Sequence, residues 1–149
     1  HYSLVAQSIP KALQHIFVVF QPISKEEYKE HILTLETSPV DYLIEKYDTI
    51  KNLFGIEKQI LVNDFRAIAS AIQKTKQFEY FKDLGKIANK QHPNTILASF
   101  YMARYYEETG KPKKAMNIYR SAYNLEEVGG YTKDDMIERA DQIKQEYGL

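Results

Sequence analysis

The chain repeats itself at an offset of 34 residues, and this repeat constrains its fold more than any other feature. Three pairs of residues match at that offset, namely Ile68 with Met102, Ala69 with Ala103 and Ala88 with Ala122. Helix-forming sequence flanks each match. A period of about 20 to 50 residues indicates repeated supersecondary units, each of which buries its apolar face against the next one. The repeat therefore predicts consecutive helical hairpins that pack side by side.

The second copy carries the fuller pattern. Its aromatic, aliphatic, small and glycine positions occur in the order Phe100, Met102, Ala103, Tyr106, Gly110, Ala115, Tyr119 and Ala122. This series resembles the tetratricopeptide repeat, a hairpin of two helices. The resemblance implies that the alanines lie where helix backbones approach closely, and that the tyrosines fill the wider gaps between hairpins. Gly110 suits the end of the first helix, and Pro112 suits the first turn of the second.

The first copy departs from this pattern. Phe81 and Gly85 stand where the second copy has Ala115 and Tyr119, so large and small residues exchange places on one helical face. Such an exchange keeps the total volume while it changes the shape of the packing surface. Lys76 replaces the turn glycine. We interpret the chain as two repeats, of which the first is degenerate.

Start and stop signals predict the helices that surround the repeats. Ser24 with Glu27 has the form of a capping box, and Ser38 begins a longer helix that Gly55 ends. The repeats predict helices over 59–75, 78–91, 96–109 and 112–126. Thr132 begins a last helix that ends near residue 147. The predicted fold class is all-α, with helical hairpins of tetratricopeptide-like superhelical type and a C-terminal capping helix.

Composition narrows the classes of function. Lys plus Arg balance Asp plus Glu at 20 each, so no overall field attracts nucleic acid, and we expect no nucleic-acid partner. The sequence has no long apolar run, which predicts that no helix spans a membrane. Cysteine is absent, so thiolate metal sites and disulfides are excluded, while the compartment stays unknown. We expect no metal and no cofactor, because the lone His15 and His31 lack a second ligand at metal-binding spacing.

The amino terminus carries a second resemblance. The segment begins His1-Tyr2-Ser3-Leu4-Val5 and continues with Ile9-Pro10-Lys11-Ala12-Leu13 and Ile16-Phe17. It is similar to the end of esterases of the α/β-hydrolase superfamily, the group that includes enterochelin-esterase-like enzymes. The resemblance implies that His1 is the triad base of a longer parent enzyme and that the final helix of its hydrolase domain follows. The alternative is that His1 is a tag residue or an arbitrary edge of the chain.

These resemblances imply a domain organisation. Residues 1–21 are the tail of an upstream α/β-hydrolase domain, 22–58 are connecting helices, and 59–149 are two tetratricopeptide-like hairpins plus the capping helix. Because the chain starts at His1 without an initiator methionine, we expect it to be part of a longer protein. The compartment of that protein is unknown, and an exported or periplasmic location is one alternative. It has no Gly-x-Ser-x-Gly nucleophile elbow, since none of its serines has glycine two positions earlier. We therefore expect no catalysis by these residues alone.

A binding groove is the other expected site. If the repeats stack as tetratricopeptides do, their first helices line a concave face. That face presents Asn63, Arg66, Ser70 and Lys74 from one copy, and Phe100, Tyr101, Arg104 and Glu107 from the other. Arginines could pair with carboxylates of an extended peptide, and Phe100 or Tyr101 could anchor a side chain. Alternatively, the helix over 39–54 or the hydrolase domain fills the groove.

Two functions follow from this sequence. The first is a non-catalytic helical module at the carboxyl end of a serine esterase, in contact with the upstream hydrolase domain or with another protein. The second is a stand-alone tetratricopeptide adaptor that binds peptides or proteins. A homo-oligomer formed through the N-terminal helix is a further expectation, because Leu13, Ile16, Phe17 and Phe20 form an apolar stripe.

Overall fold

The computed structural model of the protein describes Lys11 and residues 19–149. His1 lies outside the described residues, and so do Leu13, Ile16 and Phe17 of the apolar stripe. The expectations that rest on them, a triad base and an N-terminal interface, therefore stay predictions.

The described part of the chain is helical, which confirms the predicted all-α class. Seven α-helices have both ends within it: α1 (Lys25–Glu27), α2 (Pro39–Phe54), α3 (Val62–Thr75), α4 (Tyr80–Gln91), α5 (Ile96–Glu108), α6 (Pro112–Ser121) and α7 (Lys133–Tyr147). A π-helical turn over Tyr28–Ile32 follows α1, and a 3-10 turn over Ala122–Asn124 follows α6. Extended pairing in these residues is limited to single bridges in the loops.

The helix ends follow the sequence signals closely. Ser38 caps α2 by accepting hydrogen bonds from two backbone N–H groups, and Gly55 ends that helix in the left-handed conformation. Lys76 ends α3 with a φ of 56°, so the lysine at the turn position adopts the backbone that glycine would favour. The prediction was wrong for α6, which ends at Ser121 and not near residue 126. The reason is that Glu126 pairs through its backbone with Asn94, which requires an extended chain.

The first turn of α1 departs from the predicted capping box. Ser24 accepts the hydrogen bond from the Glu27 N–H at 3.1 Å, as expected. The Glu27 carboxylate turns away toward α2, where it accepts hydrogen bonds from Lys46 Nζ at 3.0 Å and from the Tyr42 hydroxyl at 2.8 Å. The Lys46 and Glu27 side chains are only 6% and 10% exposed. Only one of the two hydrogen bonds of the capping box is therefore formed. The Glu27 carboxylate instead links α1 to α2 through its buried ion pair with Lys46.

A buried carboxylate joins three segments at the start of α3. Asp64 is 1% exposed and accepts hydrogen bonds from the Ile23 N–H at 2.9 Å and from the Tyr47 hydroxyl at 2.7 Å. The Tyr47 oxygen in turn accepts the Leu61 N–H at 3.0 Å. These bonds fix the chain near residue 23, α2 and the entry to α3 in one arrangement. The core also crosses the predicted boundary at residue 58, because Tyr47 clusters with Phe65 of α3.

Consecutive helices pack on one another from α2 to α7, and small residues lie at the contacts. The first apolar cluster joins α2, α3, α4 and α5, and the second joins α5, α6 and α7. Ala103, Ala115 and Ala122 are fully buried in the second cluster, which confirms the predicted burial of the small positions. Ala88 has the same burial in the first cluster. The core therefore brings α3 and α5, the two helices of the predicted groove, into one packed unit.

Candidate functional site

The predicted groove residues lie along α3 and α5. Asn63, Arg66, Ser70 and Lys74 are exposed positions of α3, whereas Phe100, Arg104 and Glu107 are half-buried on α5. Tyr101 is fully buried. Contacts from two other segments of the chain reach this face, and they decide how much of it a ligand could touch.

The π-helical turn covers the carboxyl half of α3. Its Tyr28 hydroxyl shares a hydrogen bond of 2.9 Å with the Ser70 hydroxyl. The Lys74 ammonium lies over the Tyr28 ring, 5.4 Å from its centroid. Tyr28 therefore contacts both the Ser70 hydroxyl and the Lys74 ammonium, which the sequence predicted to face a peptide.

A loop over 125–132, between α6 and α7, covers the amino half of α3. It begins as an extended segment, because Ile96 N–H donates to the Glu126 carbonyl and Glu126 N–H donates to the Asn94 carbonyl, each at 2.9 Å. It then turns through Gly129 and Gly130, which have φ of 54° and 82°. We call this segment the cover loop. Both glycines are needed, because a Cβ at Gly129 would lie 2.5 Å from Cγ1 of Val62 and left-handed backbone disfavours other residues.

Arg66 of α3 is held by the cover loop. Its guanidinium donates to the Gly129 carbonyl and lies over the Tyr131 ring, 4.6 Å from the centroid. A cation stacked on an aromatic face and bound to a carbonyl is already well solvated by the protein. The Arg66 guanidinium, which was predicted to pair with a peptide carboxylate, thus already binds groups of the chain itself.

The expectation that Tyr101 faces the groove was wrong. Tyr101 packs its ring between Phe65 and Phe81, with centroids at 6.1 Å and 6.4 Å. Its hydroxyl shares a hydrogen bond of 2.9 Å with the Tyr131 hydroxyl of the cover loop. Tyr101 does not reach the groove because its ring is buried in the core. The adjacent Phe100 takes the outer position, with its ring centroid 4.9 Å from that of Tyr131. Neither aromatic is left free to anchor an incoming side chain in this arrangement.

The charged end of α5 forms an internal network. Arg104 donates to Glu108 at 2.7 Å and lies 3.6 Å from Glu107. Glu107 is 8% exposed and accepts hydrogen bonds from Arg139 of α7 and from the Tyr119 hydroxyl. The hydrogen bond and charge of Glu107 raise the pKa of Arg139 above its usual value. Arg139 was not among the predicted residues, and only its spacing on the inner side of α7 could have indicated this role.

Four buried or half-buried tyrosines have phenol pKa values above the ordinary range, with burial as the main cause in each. They are Tyr42, Tyr47, Tyr101 and Tyr119. Nearby carboxylates add to the shift of the pKa for Tyr42, beside Glu27, and for Tyr119, beside Glu107. The neutral phenol is therefore favoured by folding, and these groups are hydrogen-bond donors and core fillers at neutral pH.

This shift predicts a particular response to alkali. A tyrosine whose folded-state pKa lies above the unfolded value of about 10 stabilises the fold at all pH values below the unfolded pKa. This stabilisation is lost as the pH rises from the unfolded pKa through the folded-state pKa. The four tyrosines should therefore ionise together with loss of helix. Tyrosinate absorbance and helical circular dichroism, both followed against pH, measure this coupling. Complete ionisation of all twelve tyrosines while the helical signal is intact would contradict the assignment.

A cleft of about 610 Å³ opens beside α1 and α2. Its lining includes the Glu27 and Lys46 pair together with Glu26, Glu30 and Glu45. Since Glu27 and Lys46 neutralise each other, the pair serves to tie the two helices. Among the described residues, no group of three or more histidines and carboxylates is placed to hold a metal ion. None of the helices in this part of the chain is long and apolar enough to cross a membrane.

Comparison with known proteins gives one informative likeness. No protein family profile and no curated protein sequence matches the chain. Among solved structures, the fold is similar to the crystal structure of an uncharacterised protein from Capnocytophaga ochracea DSM 7271, with a TM-score of 0.81 and 33% sequence identity. The match covers 91% of this chain and 38% of that chain. The chain therefore spans less than half the length of the protein that it resembles.

Proposed function

We propose that the protein is a non-catalytic helical repeat module at the carboxyl end of a serine esterase of the α/β-hydrolase superfamily, in contact with the rest of that longer chain. In this proposal α3 with α4 and α5 with α6 are two tetratricopeptide-like hairpins, and α7 is their capping helix. The module contributes contacts and stability, while the chemistry belongs to the region ahead of it.

Equivalent positions of the two copies support the repeat. Lys76 and Gly110 are 34 residues apart, and both adopt left-handed backbone, with φ of 56° and 78°. Ala88 and Ala122, which match at the same offset, are both completely buried. A shared turn conformation and a shared close contact are what a common hairpin requires. Phe81 belongs to the first cluster, and Gly85 is buried on the same helix.

The observation that carries the proposed role is that the chain itself contacts most of the polar groups of the groove, although those on α3 stay exposed. Arg66 is bound by the cover loop, Ser70 and Lys74 contact Tyr28, and Tyr101 is buried. A peptide would have to displace these contacts before it could bind along α3. This favours contact through the outer surface of the helices over capture of a peptide in the groove. The stand-alone adaptor is correspondingly less well supported.

Two further observations favour attachment to a longer chain. A solved structure of similar fold belongs to a protein in which the matched part is 38% of the length. The amino-terminal sequence from His1 to Val5 resembles the histidine region of the esterases named above. The esterase part of the proposal rests on that sequence resemblance.

The proposal is tested by the coding sequence ahead of His1 and by the activity of its product. That sequence should encode a Gly-x-Ser-x-Gly elbow followed by an acidic residue. The longer protein should hydrolyse a small activated ester such as p-nitrophenyl acetate, and alanine at the elbow serine is the matched control. The 149-residue chain should give only the buffer rate. A longer protein with no elbow would leave the module without an esterase and would refute this assignment.

A further inference from the structure

Three large apolar side chains are exposed together where α2 ends. Leu53 is 55% exposed, Phe54 is 40% exposed and Ile56 is 53% exposed, and they lie within four consecutive positions around Gly55. Most other exposed large hydrophobic residues of the described chain lie toward its carboxyl end, as Tyr123 and Tyr147 do. We call Leu53, Phe54 and Ile56 the α2-end patch. An apolar cluster of this kind is comparable to the largest patch of an ordinary monomer, which is often functional.

Residues 19 and 20 lead directly to this patch. The Phe20 ring lies against the Phe54 ring with centroids 4.6 Å apart. Lys58 donates to the Phe20 carbonyl at 3.0 Å, and its ammonium lies 6.0 Å from the centre of the Phe20 ring. The backbone at Phe20 is therefore fixed beside the patch. Phe20 thus lies at the start of the order of packed helices, which ends at α7.

The patch has the composition of a small interface. Its apolar residues are flanked by the exposed ion pair of Lys51 with Glu57, at 2.5 Å, and by Lys58. An apolar centre with a charged rim is the usual anatomy of a protein contact surface. The rim residues stay hydrated when the centre is covered, so that covering the patch does not bury an unpaired charge.

We infer that the α2-end patch is the docking surface for the folded region that precedes this module in a longer chain. This inference rests on the proposed function, and it names the contact surface. The match to a protein in which the helical part is 38% of the length supports a large preceding or following region. The position of Phe20 against Phe54 selects the preceding one, because the chain enters at the patch.

The size of the patch argues against a second copy as its occupant. Three partly exposed side chains offer on the order of 300 Å² of apolar surface, whereas a stable dimer buries about 800 Å² on each partner. A covalently attached domain needs less, because the linker holds it at an effective concentration of roughly millimolar. A small apolar contact is then sufficient to keep two parts of one chain together.

Site-specific thiol labelling tests the inference, since the 149 residues contain no cysteine. Leu53→Cys and Ile56→Cys are made separately in the longer protein and in the 149-residue chain, with Tyr123→Cys as the exposed control. Labelling by a maleimide is followed by mass spectrometry of the peptide that carries the thiol. We expect labelling at 53 and 56 to be about tenfold slower or more in the longer protein than in the short chain, because the site must open first. The control should label equally in both.

The possible outcomes separate this inference from the proposed function. If the longer protein stays associated after its linker is cut, yet positions 53 and 56 label as fast as position 123, the patch is wrong and the module role stands. If the preceding region separates from the helical module and all three positions label fast, the docking surface and the proposed module role are both wrong. Protection that appears in the short chain and grows with its concentration would assign the patch to a second copy and overturn the inference. A reading frame with no folded region ahead of residue 1 would overturn it as well.

Discussion

Replacing Tyr101 with alanine should lower the free energy of unfolding by about 3 to 5 kcal/mol, as removal of a large buried aromatic side chain does. The ring fills the space between Phe65 and Phe81, which are both buried. Its loss leaves a cavity at the centre of the first cluster and removes the partner of the Tyr131 hydroxyl. Urea unfolding followed by circular dichroism measures the change, provided that the transition is two-state.

Two control variants separate the contributions of Tyr101. Tyr101→Phe keeps the ring and removes only the hydrogen bond to Tyr131, so it should cost about 0.5 to 1.5 kcal/mol. Tyr123→Ala removes an exposed tyrosine and should change stability by less than about 0.5 kcal/mol. A Tyr101→Ala variant as stable as Tyr123→Ala would show that the ring is not the centre of this core.

The larger effect is expected in the enzyme that we propose as parent. His1→Ala in the longer protein should lower kcat/KM for a small activated ester by about four to six orders of magnitude, since a triad base both accepts and returns the proton of the serine. The measurement is initial-rate hydrolysis at several ester concentrations. The loss should lie mainly in kcat, because the base acts in the transition state and not in binding of a small ester.

Matched variants make this result specific. His31 is exposed on the π-helical turn, and His31→Ala should leave hydrolysis unchanged. Arg66→Ala and Arg104→Ala should also leave it nearly intact, because both side chains are engaged within the helical module. Full activity in the His1→Ala protein would remove the role assigned to this histidine, and with it the sequence resemblance on which the esterase proposal depends.

Local chemistry made most of the helices predictable from the sequence. Ser38 and Pro39 begin α2, Gly55 ends it, and Pro112 begins α6, because capping and backbone restriction act within a few residues. Even the left-handed turn at Lys76 follows from its alignment with Gly110. These features need no knowledge of distant parts of the chain.

The state of the groove was not predictable in the same way. Arg66 and Gly129 are 63 residues apart, and nothing near Arg66 in sequence indicates that a loop will cover it. Helical periodicity also did not decide between Phe100 and Tyr101, which are adjacent and both aromatic. Tyr101 is the buried one of the two because its side of α5 packs against Phe65 and Phe81. For a contact between residues so far apart in sequence, the indication in the sequence is the pair Gly129 and Gly130, which predicts a turn but not its partner.

The cover loop also has a consequence for how the chain comes apart. In an ordinary repeat array each unit touches only its neighbours, so the ends fray independently and units can be added or lost. Here a segment that follows α6 is bound to Arg66 of α3 and to the chain ahead of α5. The loop after α6 is thereby coupled to α3 and α5, which favours concerted unfolding over stepwise fraying from α7. The same coupling makes the connection between α6 and α7 intolerant of insertion, because a further helix pair inserted after α6 would displace the loop from α3.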